Sequence, residues 1–199
     1  MKHIVLATNN PGKIAELSAM LGPVTAKVAT LADFDTSEVE ETGTTFMENA
    51  RLKAQGYALQ TGLPALADDS GLEIAALGGR PGVHSARYGG ADIDFDRRME
   101  MLLDEIKVSA THDRRARFVC AIAIADEAGR IVETAEGICR GTIAESARGA
   151  SGFGYDPIFI PDGYDLTFGQ LSDDIKSEIS HRRRAFREII PFLRHFIAN

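Results

Sequence analysis

The start of the chain most constrains the fold, because a short apolar run passes directly into a helical pattern. His3–Thr8 is strand-sized and is followed by Asn9–Gly12, whose residue types favour a tight turn. Apolar residues then recur with helical spacing as far as Gly22, a typical helix stop. A strand, a tight loop and a helix in this order predict an α/β domain.

Composition places the chain among compact globular proteins. Of its 199 residues, 44% are hydrophobic and 26% are charged, which argues against disorder and fibrous repeats. Lys and Arg number 22 against 29 Asp and Glu, giving a formal net charge of −7. This balance weighs against binding to a nucleic-acid polymer and favours a small nucleotide met by a few cations in one pocket. We expect a single domain over residues 1–199.

No segment has the pattern of a membrane span or an export signal. The longest apolar run, Val119–Ala125, is strand-sized, and the opening MKHIVLATNN has too short an apolar stretch for a signal peptide. We therefore expect a cytoplasmic protein that does not contact a membrane. Cys120 and Cys139 have no metal-type spacing, so two buried thiols are expected rather than a disulfide or a zinc site.

Helices are predicted from capping residues and apolar spacing. Thr45 and Glu48 have the spacing of a capping box and begin a helix that Gly62 ends. A second helix is expected from Asp92 or Asp94 to Lys107. A third runs from about Ser172 to Ala198, and Pro191 is expected to kink or divide it.

Strands and loops fill the remaining segments. The predicted strands are Val24–Thr30, Leu63–Ala67, Ala116–Ala125, Ile131–Ile143 and Ile158–Ile160. Asp126–Arg130 suits a hairpin turn, and Asp68–Gly71 has the composition of a turn directly after a strand. Leu31–Thr44 and the glycine-rich Gly78–Gly90 are expected to be loops.

Two of these segments suit a phosphate and its metal ion. Thr8–Lys13 would present a helix N-terminus and a lysine, which favour a phosphate, although an ordinary Asn-Pro-Gly turn is the alternative. The acidic pairs Glu40–Glu41 and Asp68–Asp69 suit Mg²⁺, a cation that prefers oxygen ligands. Solvated surface acids are the alternative. The position of Asp68–Asp69 at a predicted strand end favours function.

Two later segments could meet a nucleoside. Gly149–Phe159 combines glycines, which allow close backbone approach, with aromatic rings that can stack on a base; a strand bulge packed in a core is the alternative. Lys176 and Ser180 have i, i+4 spacing and precede the basic run His181–Arg184. This run could meet a phosphate or a base edge, or it could be a solvated face. Lys53, on the helix after the capping box, could likewise be only an exposed lysine.

Six segments in the same order resemble the inosine triphosphatase family of nucleoside triphosphate pyrophosphatases. They are TNNPGK from Thr8, ENARLKA from Glu48, ADDSGL from Ala67, PGVHSARY from Pro81, GFGYDPIF from Gly152 and SHRRRA from Ser180. The resemblance runs almost from end to end of the chain. It implies an α/β fold with an elongated mixed β-sheet and flanking helices in two lobes, a nucleotide cleft between them, and a homodimer.

The resemblance also implies a reaction and a set of site residues. The family cleaves ITP, dITP or XTP between the α- and β-phosphates with Mg²⁺, which removes deaminated purines from the nucleotide pool. Asp69 would accept the proton and bind Mg²⁺ together with Glu40 or Glu41, a choice that the motifs leave open. The implied substrate-binding residues are Thr8, Asn9, Asn10, Pro11, Gly12, Lys13, Lys53, Ser70, Phe153, Gly154, Tyr155, Asp156, Lys176, His181 and Arg182.

Base selectivity can be argued from the purine edge. Hypoxanthine and xanthine carry an oxygen at C6, so donors such as His181, Arg182 or a backbone N–H would disfavour the amino group of adenine. Two other functions stay open at this point. One is a triphosphatase of other base specificity or one that releases orthophosphate; the other is a nucleotide-binding module without turnover.

Overall fold

The computed structural model describes residues 3–22, 27–90 and 92–198, with side chains as far as residue 196. The strands are β1 His3–Leu6, β2 Lys27–Thr30, β3 Ala65–Ile74, β4 Arg115–Ala125, β5 Ile131–Ile143 and β6 Phe159–Pro161. The helices are α1 Pro11–Leu21, α2 Phe46–Thr61, α3 Phe95–Val108, α4 Asp173–Ile179 and α5 His181–Ala198. No helix within the described residues is long and apolar enough to cross a bilayer.

The strands form one mixed sheet. Their order is β2-β1-β3-β4-β5-β6. β1 runs parallel to both of its neighbours, β2 and β3, whereas β6 pairs antiparallel to β5. Parallel pairing of β1 with β3 requires a long crossover, which α1, β2 and α2 supply. The predicted α/β class with a mixed sheet and flanking helices is therefore confirmed.

The described residues group into two compact units. The first unit comprises Met1–Asp69, Cys120–Gly137 and Arg182–Asn199, and the second comprises Ser70–Val119 and Ile138–His181. Each unit has its own apolar core. In the first, Leu6 and Ile122 pack with Phe186; in the second, Leu102 and Phe118 pack with Phe159. The expectation of one domain over residues 1–199 stays a prediction.

Three helix starts follow from short-range capping. Asn10 caps α1 by accepting a hydrogen bond from the Lys13 N–H, and Asp94 caps α3 in the same way through the Arg97 N–H. α2 begins at the predicted capping box of Thr45 and Glu48. It ends at Gly62, whose φ of 67° is the left-handed conformation that glycine adopts most easily.

The predicted turn at Asp68–Gly71 is wrong. β3 continues through these residues to Ile74, so Asp68 and Asp69 lie inside a strand rather than at its end. Turn propensity of Asp, Ser and Gly is a weak local preference, and here the position of β3 within the sheet, between β1 and β4, overrides it. Paired cations remove the charge cost of placing carboxylates there.

The C-terminal helix divides at a different residue from the one expected. The break falls at Ser180, whose backbone is extended (φ −63°, ψ 155°) between α4 and α5. α5 instead continues through Pro191. Pro191 and Arg187, whose carbonyl loses its helical partner, both lie on the exposed side of α5, where water can hydrate that carbonyl.

Two smaller differences concern β2 and a loop. β2 is described from Lys27, so residues 24–26 of the predicted strand lie outside the described residues. The expected loop Gly78–Gly90 contains a 3₁₀ helix at Gly82–Arg87. Glycine content alone did not indicate this helix, because contacts distant in sequence, such as the bonds from the Leu72 N–H to Ser85 Oγ and from the Tyr155 hydroxyl to the Ser85 carbonyl, help to hold it.

Candidate active site

The first unit carries a lysine at the start of a helix. Thr8 Oγ1 accepts a hydrogen bond from the Asn10 N–H at 3.2 Å, which orders the turn that ends in Pro11 and Gly12. Lys13 lies in the first turn of α1, which contains no acidic residue. A helix N-terminus carries a partial positive charge, so this turn adds to the charge of Lys13 and favours an anion. Asn9, Asn10 and Pro11 are exposed there.

Lys13 reaches a buried carboxylate in the middle of the sheet. Its Nζ lies 3.0 Å from Asp68 Oδ2. The same oxygen accepts from Nε and Nη2 of Arg182, both at 3.4 Å, and Arg182 also donates to Glu16. Asp68 and Arg182 are almost fully buried. A buried charge is tolerated only with partners, and this network supplies them.

Asp69 lies in a second cluster of the first unit, with Lys53, Glu41 and Asn49. Lys53 Nζ donates to Glu41 Oε1 at 3.0 Å and to Asp69 Oδ1 at 3.4 Å. Asn49 Nδ2 donates to Asp69 Oδ2 at 3.2 Å, while its Oδ1 accepts from the Gly43 N–H at 2.8 Å. Asn49 and Lys53 lie one turn apart on α2, so one helix face holds the carboxylate.

The two adjacent carboxylates differ in acidity. Burial alone would raise the pKa of Asp68, but the charges of Lys13 and Arg182 hold that pKa well below its usual range. Burial raises the pKa of Asp69, and the opposing charge of Lys53 does not fully offset it. Burial disfavours the charged form of Lys53, yet the Asp69, Asp68 and Glu41 carboxylates together raise its pKa. Asp69 is therefore the more basic carboxylate, and it faces a charged lysine.

The carboxylates that contact Lys53 are suitable ligands for a metal ion that binds together with a substrate. Within the described residues, no three His, Cys, Asp or Glu side chains lie close enough to hold a metal ion by themselves. Asp69 and Glu41, however, already share the Lys53 ammonium as a common cation. Mg²⁺ is commonly held by one or two carboxylates together with substrate phosphates and water, so this pair fits that mode of binding. Glu40, the other predicted candidate, is exposed.

The second unit carries an aromatic and ionic cluster, here called the Phe153 cluster and consisting of Phe153, Asp156 and Lys176. Lys176 Nζ donates to Asp156 Oδ2 at 2.6 Å and lies 4.5 Å from the centre of the Phe153 ring. Asp156 Oδ2 also accepts from the Phe153 N–H at 2.8 Å. Asp156 and Lys176 are buried, whereas Phe153 is half-buried. The half-buried ring above a fixed cation is a surface on which a base can stack.

The other predicted residues lie in different surroundings. His181 is buried and stacks on Phe118, with ring centres 4.8 Å apart. Arg182, expected beside the base, has its guanidinium between Asp68 and Glu16 in the first unit. Ser70 and Gly154 are half-buried in the second unit. The basic run is not one solvated face, because His181 and Arg182 are buried and only Arg184 is exposed.

Sequence reasoning missed Asn49 and Glu16, and it missed the contact of the Cys120 thiol with Asp68. Asn49 could have been found from its i, i+4 spacing to Lys53 within ENARLKA. Glu16 and Cys120 lie far along the chain from their partners, so no local signal marks them. Cys120 and Cys139 are free and buried, as predicted.

Comparison with known proteins covers almost the whole chain. The sequence profile of the Ham1 family matches residues 4–192. The dITP/XTP pyrophosphatase of Rhodospirillum centenum is 47% identical over 190 residues, which is 94% of this chain and 92% of that protein. The dITP/XTP pyrophosphatase of Bacillus subtilis is 46% identical over 194 residues, which is 97% of this chain and 98% of that protein. The solved structure of a HAM1 protein from Coxiella burnetii is similar with a TM-score of 0.91 at 41% identity, and covers 98% of this chain and 100% of its own.

Proposed function

This chain belongs to the Ham1 family, and from that premise we propose that it hydrolyses dITP, ITP and XTP to the nucleoside monophosphate and pyrophosphate. Its relatives in Rhodospirillum centenum and Bacillus subtilis, which carry the name dITP/XTP pyrophosphatase, support this reaction. The observation that carries the proposal is the cluster of Lys53, Glu41, Asn49 and Asp69, in which the Lys53 ammonium joins Asp69 and Glu41. Carboxylates can bind the metal ion and ammonium groups can bind the phosphates, so the two kinds of group together suit a metal-bound polyanion.

Charge stabilisation is the task of the two lysines. Cleavage between the α- and β-phosphates makes pyrophosphate the leaving group, and negative charge develops on its oxygens. Lys13, at the start of α1, and Lys53, on α2, both carry positive charge within the first unit. We assign them to the phosphates, whose binding would loosen their present contacts with Asp68 and Glu41.

Proton transfer is the task of Asp69. Its two oxygens are held separately, one by Lys53 and the other by Asn49, so the direction of the carboxylate is fixed. A fixed carboxylate can orient a water molecule and accept its proton. Glu41 and Asp69 would hold Mg²⁺ through carboxylate oxygens. When bound, Mg²⁺ would neutralise phosphate charge and acidify the attacking water.

Recognition of the base is assigned to the second unit. The half-buried Phe153 ring and the Lys176 ammonium, fixed by Asp156, offer a stacking face and a donor. A donor favours the C6 oxygen of hypoxanthine or xanthine over the amino group of adenine. Arg182 is bound by two carboxylates, so we assign it first to the Asp68 network; a direct contact with the base stays a prediction.

The assembly and the location belong to the same proposal. The homodimer expected from the family resemblance is proposed here, and so is a cytoplasmic location, where nucleoside triphosphates are made and used. Removal of deaminated purines from the nucleotide pool is the role that the reaction supports.

A turnover assay on five nucleotides tests the reaction and its selectivity together. With Mg²⁺ present, dITP and XTP are expected to give monophosphate and pyrophosphate, while dATP, dGTP and dTTP react far more slowly. Diphosphate and orthophosphate as products would favour a different triphosphatase. Equal rates on all five nucleotides would contradict the base assignment, and no turnover at all would favour a binding module.

A further inference from the structure

The PGVHSARY segment, Pro81–Tyr88, has no role in the site described above. Most of it forms the 3₁₀ helix Gly82–Arg87 in the second unit. At its centre, Ser85 is 6% exposed, although serine is more often a surface residue. A buried serine needs hydrogen-bond partners for its hydroxyl and its backbone groups.

Ser85 is held from two sides. Its Oγ donates to the Gly82 carbonyl at 2.6 Å and accepts from the Leu72 N–H of β3 at 2.9 Å. Beyond the 3₁₀ helix, Arg98 donates to the carbonyls of Tyr88 at 3.0 Å and Gly90 at 2.9 Å. The backbone of this segment is thus fixed to both β3 and α3.

The backbone of this segment accepts a hydrogen bond from Tyr155. The Tyr155 hydroxyl donates to the Ser85 carbonyl oxygen at 2.8 Å, and its ring meets Phe95 edge-on with ring centres 5.3 Å apart. Burial raises the pKa of this hydroxyl well above its usual range, which keeps it protonated as a donor. At 3% exposure, the Tyr155 side chain lies in the core of the second unit and offers almost no surface to a ligand.

The turn that carries Tyr155 requires such an anchor. Gly152 and Gly154, on either side of Phe153, have φ values of 75° and 67°. Glycine is the residue with the least restricted backbone, so the conformation of this turn depends on its hydrogen bonds. Within the turn the Asp156 N–H donates to the Phe153 carbonyl at 3.4 Å, and the Tyr155 hydroxyl adds a bond to a segment distant in sequence. Tyr155 directly precedes Asp156, which in turn holds Lys176 and the Phe153 N–H.

We propose that Ser85 and Tyr155 are positioning residues for the Phe153 cluster: the hydrogen bond between them fixes the 152–156 turn and thereby the ring that stacks on the base. The inference rests on the proposed function for the identity of the base, and it gives Tyr155 a structural task in place of direct contact. Loss of the hydroxyl should weaken binding of ligands that carry a base and spare those that do not.

Tyr155→Phe tests this, because it removes one hydroxyl and keeps the ring against Phe95. Calorimetry would measure the dissociation constants of dIMP, which carries the base, and of inorganic tripolyphosphate, which does not. We expect the constant for dIMP to rise about three- to tenfold, the effect of one hydrogen bond, and the constant for tripolyphosphate to stay within about twofold. KM for dITP should rise in parallel with little change in kcat.

Tyr88→Phe is the matched control. Its hydroxyl lies in the same segment but donates to Glu105 at 2.6 Å and accepts from Arg80 at 3.0 Å, and neither partner belongs to the 152–156 turn. It should leave the ratio of the two dissociation constants unchanged. Ser85→Ala, which removes the acceptor of the Leu72 N–H, should raise the dIMP constant in the same direction as Tyr155→Phe and serves as the second variant if Tyr155→Phe does not fold.

Two results would overturn the inference. One is an unchanged dIMP constant in Tyr155→Phe; the other is an equal weakening of dIMP and tripolyphosphate, which would indicate a general loss of structure. Turnover of dITP by the parent protein is measured separately. Its absence would contradict the proposed function. The calorimetric comparison needs only that the parent protein binds dIMP, so it decides the role of Tyr155 separately from turnover.

Discussion

Asn49 is the residue on which the geometry of Asp69 most depends. It is completely buried, and its amide joins Asp69 to the backbone of Gly43, in the loop that precedes α2. A Cβ on Gly43 would lie 2.7 Å from Asn49 Oδ1, so glycine is needed for this approach. One amide therefore sets both the direction of the carboxylate and the course of the loop that carries Glu41.

Asn49→Ala should lower kcat for dITP by about ten- to a hundredfold, with a smaller effect on KM, because Asp69 loses a group that orients it. Steady-state kinetics with saturating Mg²⁺ would measure this. Gln60→Ala is the control, since the Gln60 amide ties the same helix to the same loop at Ser37 without contacting Asp69. A similar loss of kcat in both variants would refute a specific role for Asn49.

Cys120 should resist thiol reagents in the folded protein. Burial, together with the nearby Asp68 carboxylate, raises the pKa of its thiol to about 12, so almost no thiolate forms at pH 8. Cys139 is also buried. A colorimetric thiol assay should therefore detect both cysteines only after unfolding in denaturant. Rapid labelling of the native protein at pH 8 would contradict the packing around Cys120.

Among individual residues, the sequence indicated the charged side chains of the candidate site more readily than the residues that hold them in place. Lys13, Lys53 and Asp69 belong to short motifs whose chemistry can be inferred from residue type and spacing. Glu16 binds Arg182 across 166 positions of sequence, so only the fold brings them together. The choice between Glu40 and Glu41 stays a prediction, and its argument in favour of Glu41, the contact with Lys53, is one that the sequence does not contain.

Among the secondary-structure elements, α2 begins at a capping box and carries two of the residues that contact Asp69. The Thr45 and Glu48 capping box fixes the first turn of the helix, and Asn49 and Lys53 follow on one face. The start of α2 therefore determines where both side chains reach Asp69.

Thr45→Ala should lower the free energy of unfolding by about 1 kcal/mol, because the Glu48 N–H loses its acceptor at the helix start. Urea denaturation followed by circular dichroism would measure the change. Ser18→Ala, an exposed position inside α1, is the control and should be neutral or slightly stabilising. If Thr45→Ala leaves stability unchanged, the capping box does not contribute as described.

Elements set by local rules were predicted well, and elements set by distant contacts were not. Asp94 and Gly62 mark helix ends through residues a few positions away, so the sequence contains the signal. The strand through Asp68–Gly71 depends instead on neighbouring strands and on paired cations. The break at Ser180, rather than at Pro191, likewise has no local signal as strong as a proline.

For the whole molecule, the acidic composition and the proposed polyanionic substrate are compatible. The net charge of −7 is spread over the chain, whereas Lys13 and Lys53 are placed beside the buried Asp68 and Asp69. In the proposed site, attraction of the triphosphate would depend on the local field and on the proposed Mg²⁺ rather than on net charge.

Removal of Mg²⁺ by a chelator should abolish turnover of dITP, and added Mg²⁺ should restore it; full activity in the chelator would contradict the metal proposal.

The proposed homodimer can be tested by mass. Each chain has a mass of 21.5 kDa, so sedimentation equilibrium should give about twice that value for the intact protein at micromolar concentration. A monomer mass across the whole concentration range would contradict the dimer and leave the reaction unaffected.

The most direct test of the central claim is the product formed from dITP by the parent protein and by Asp69→Asn under saturating Mg²⁺. The parent should release dIMP and pyrophosphate in equal amounts. Asp69→Asn should form the same products about 10² to 10⁴ times more slowly, while its affinity for dIMP changes little. Release of dIDP and orthophosphate, or near-normal turnover by Asp69→Asn, would contradict the account.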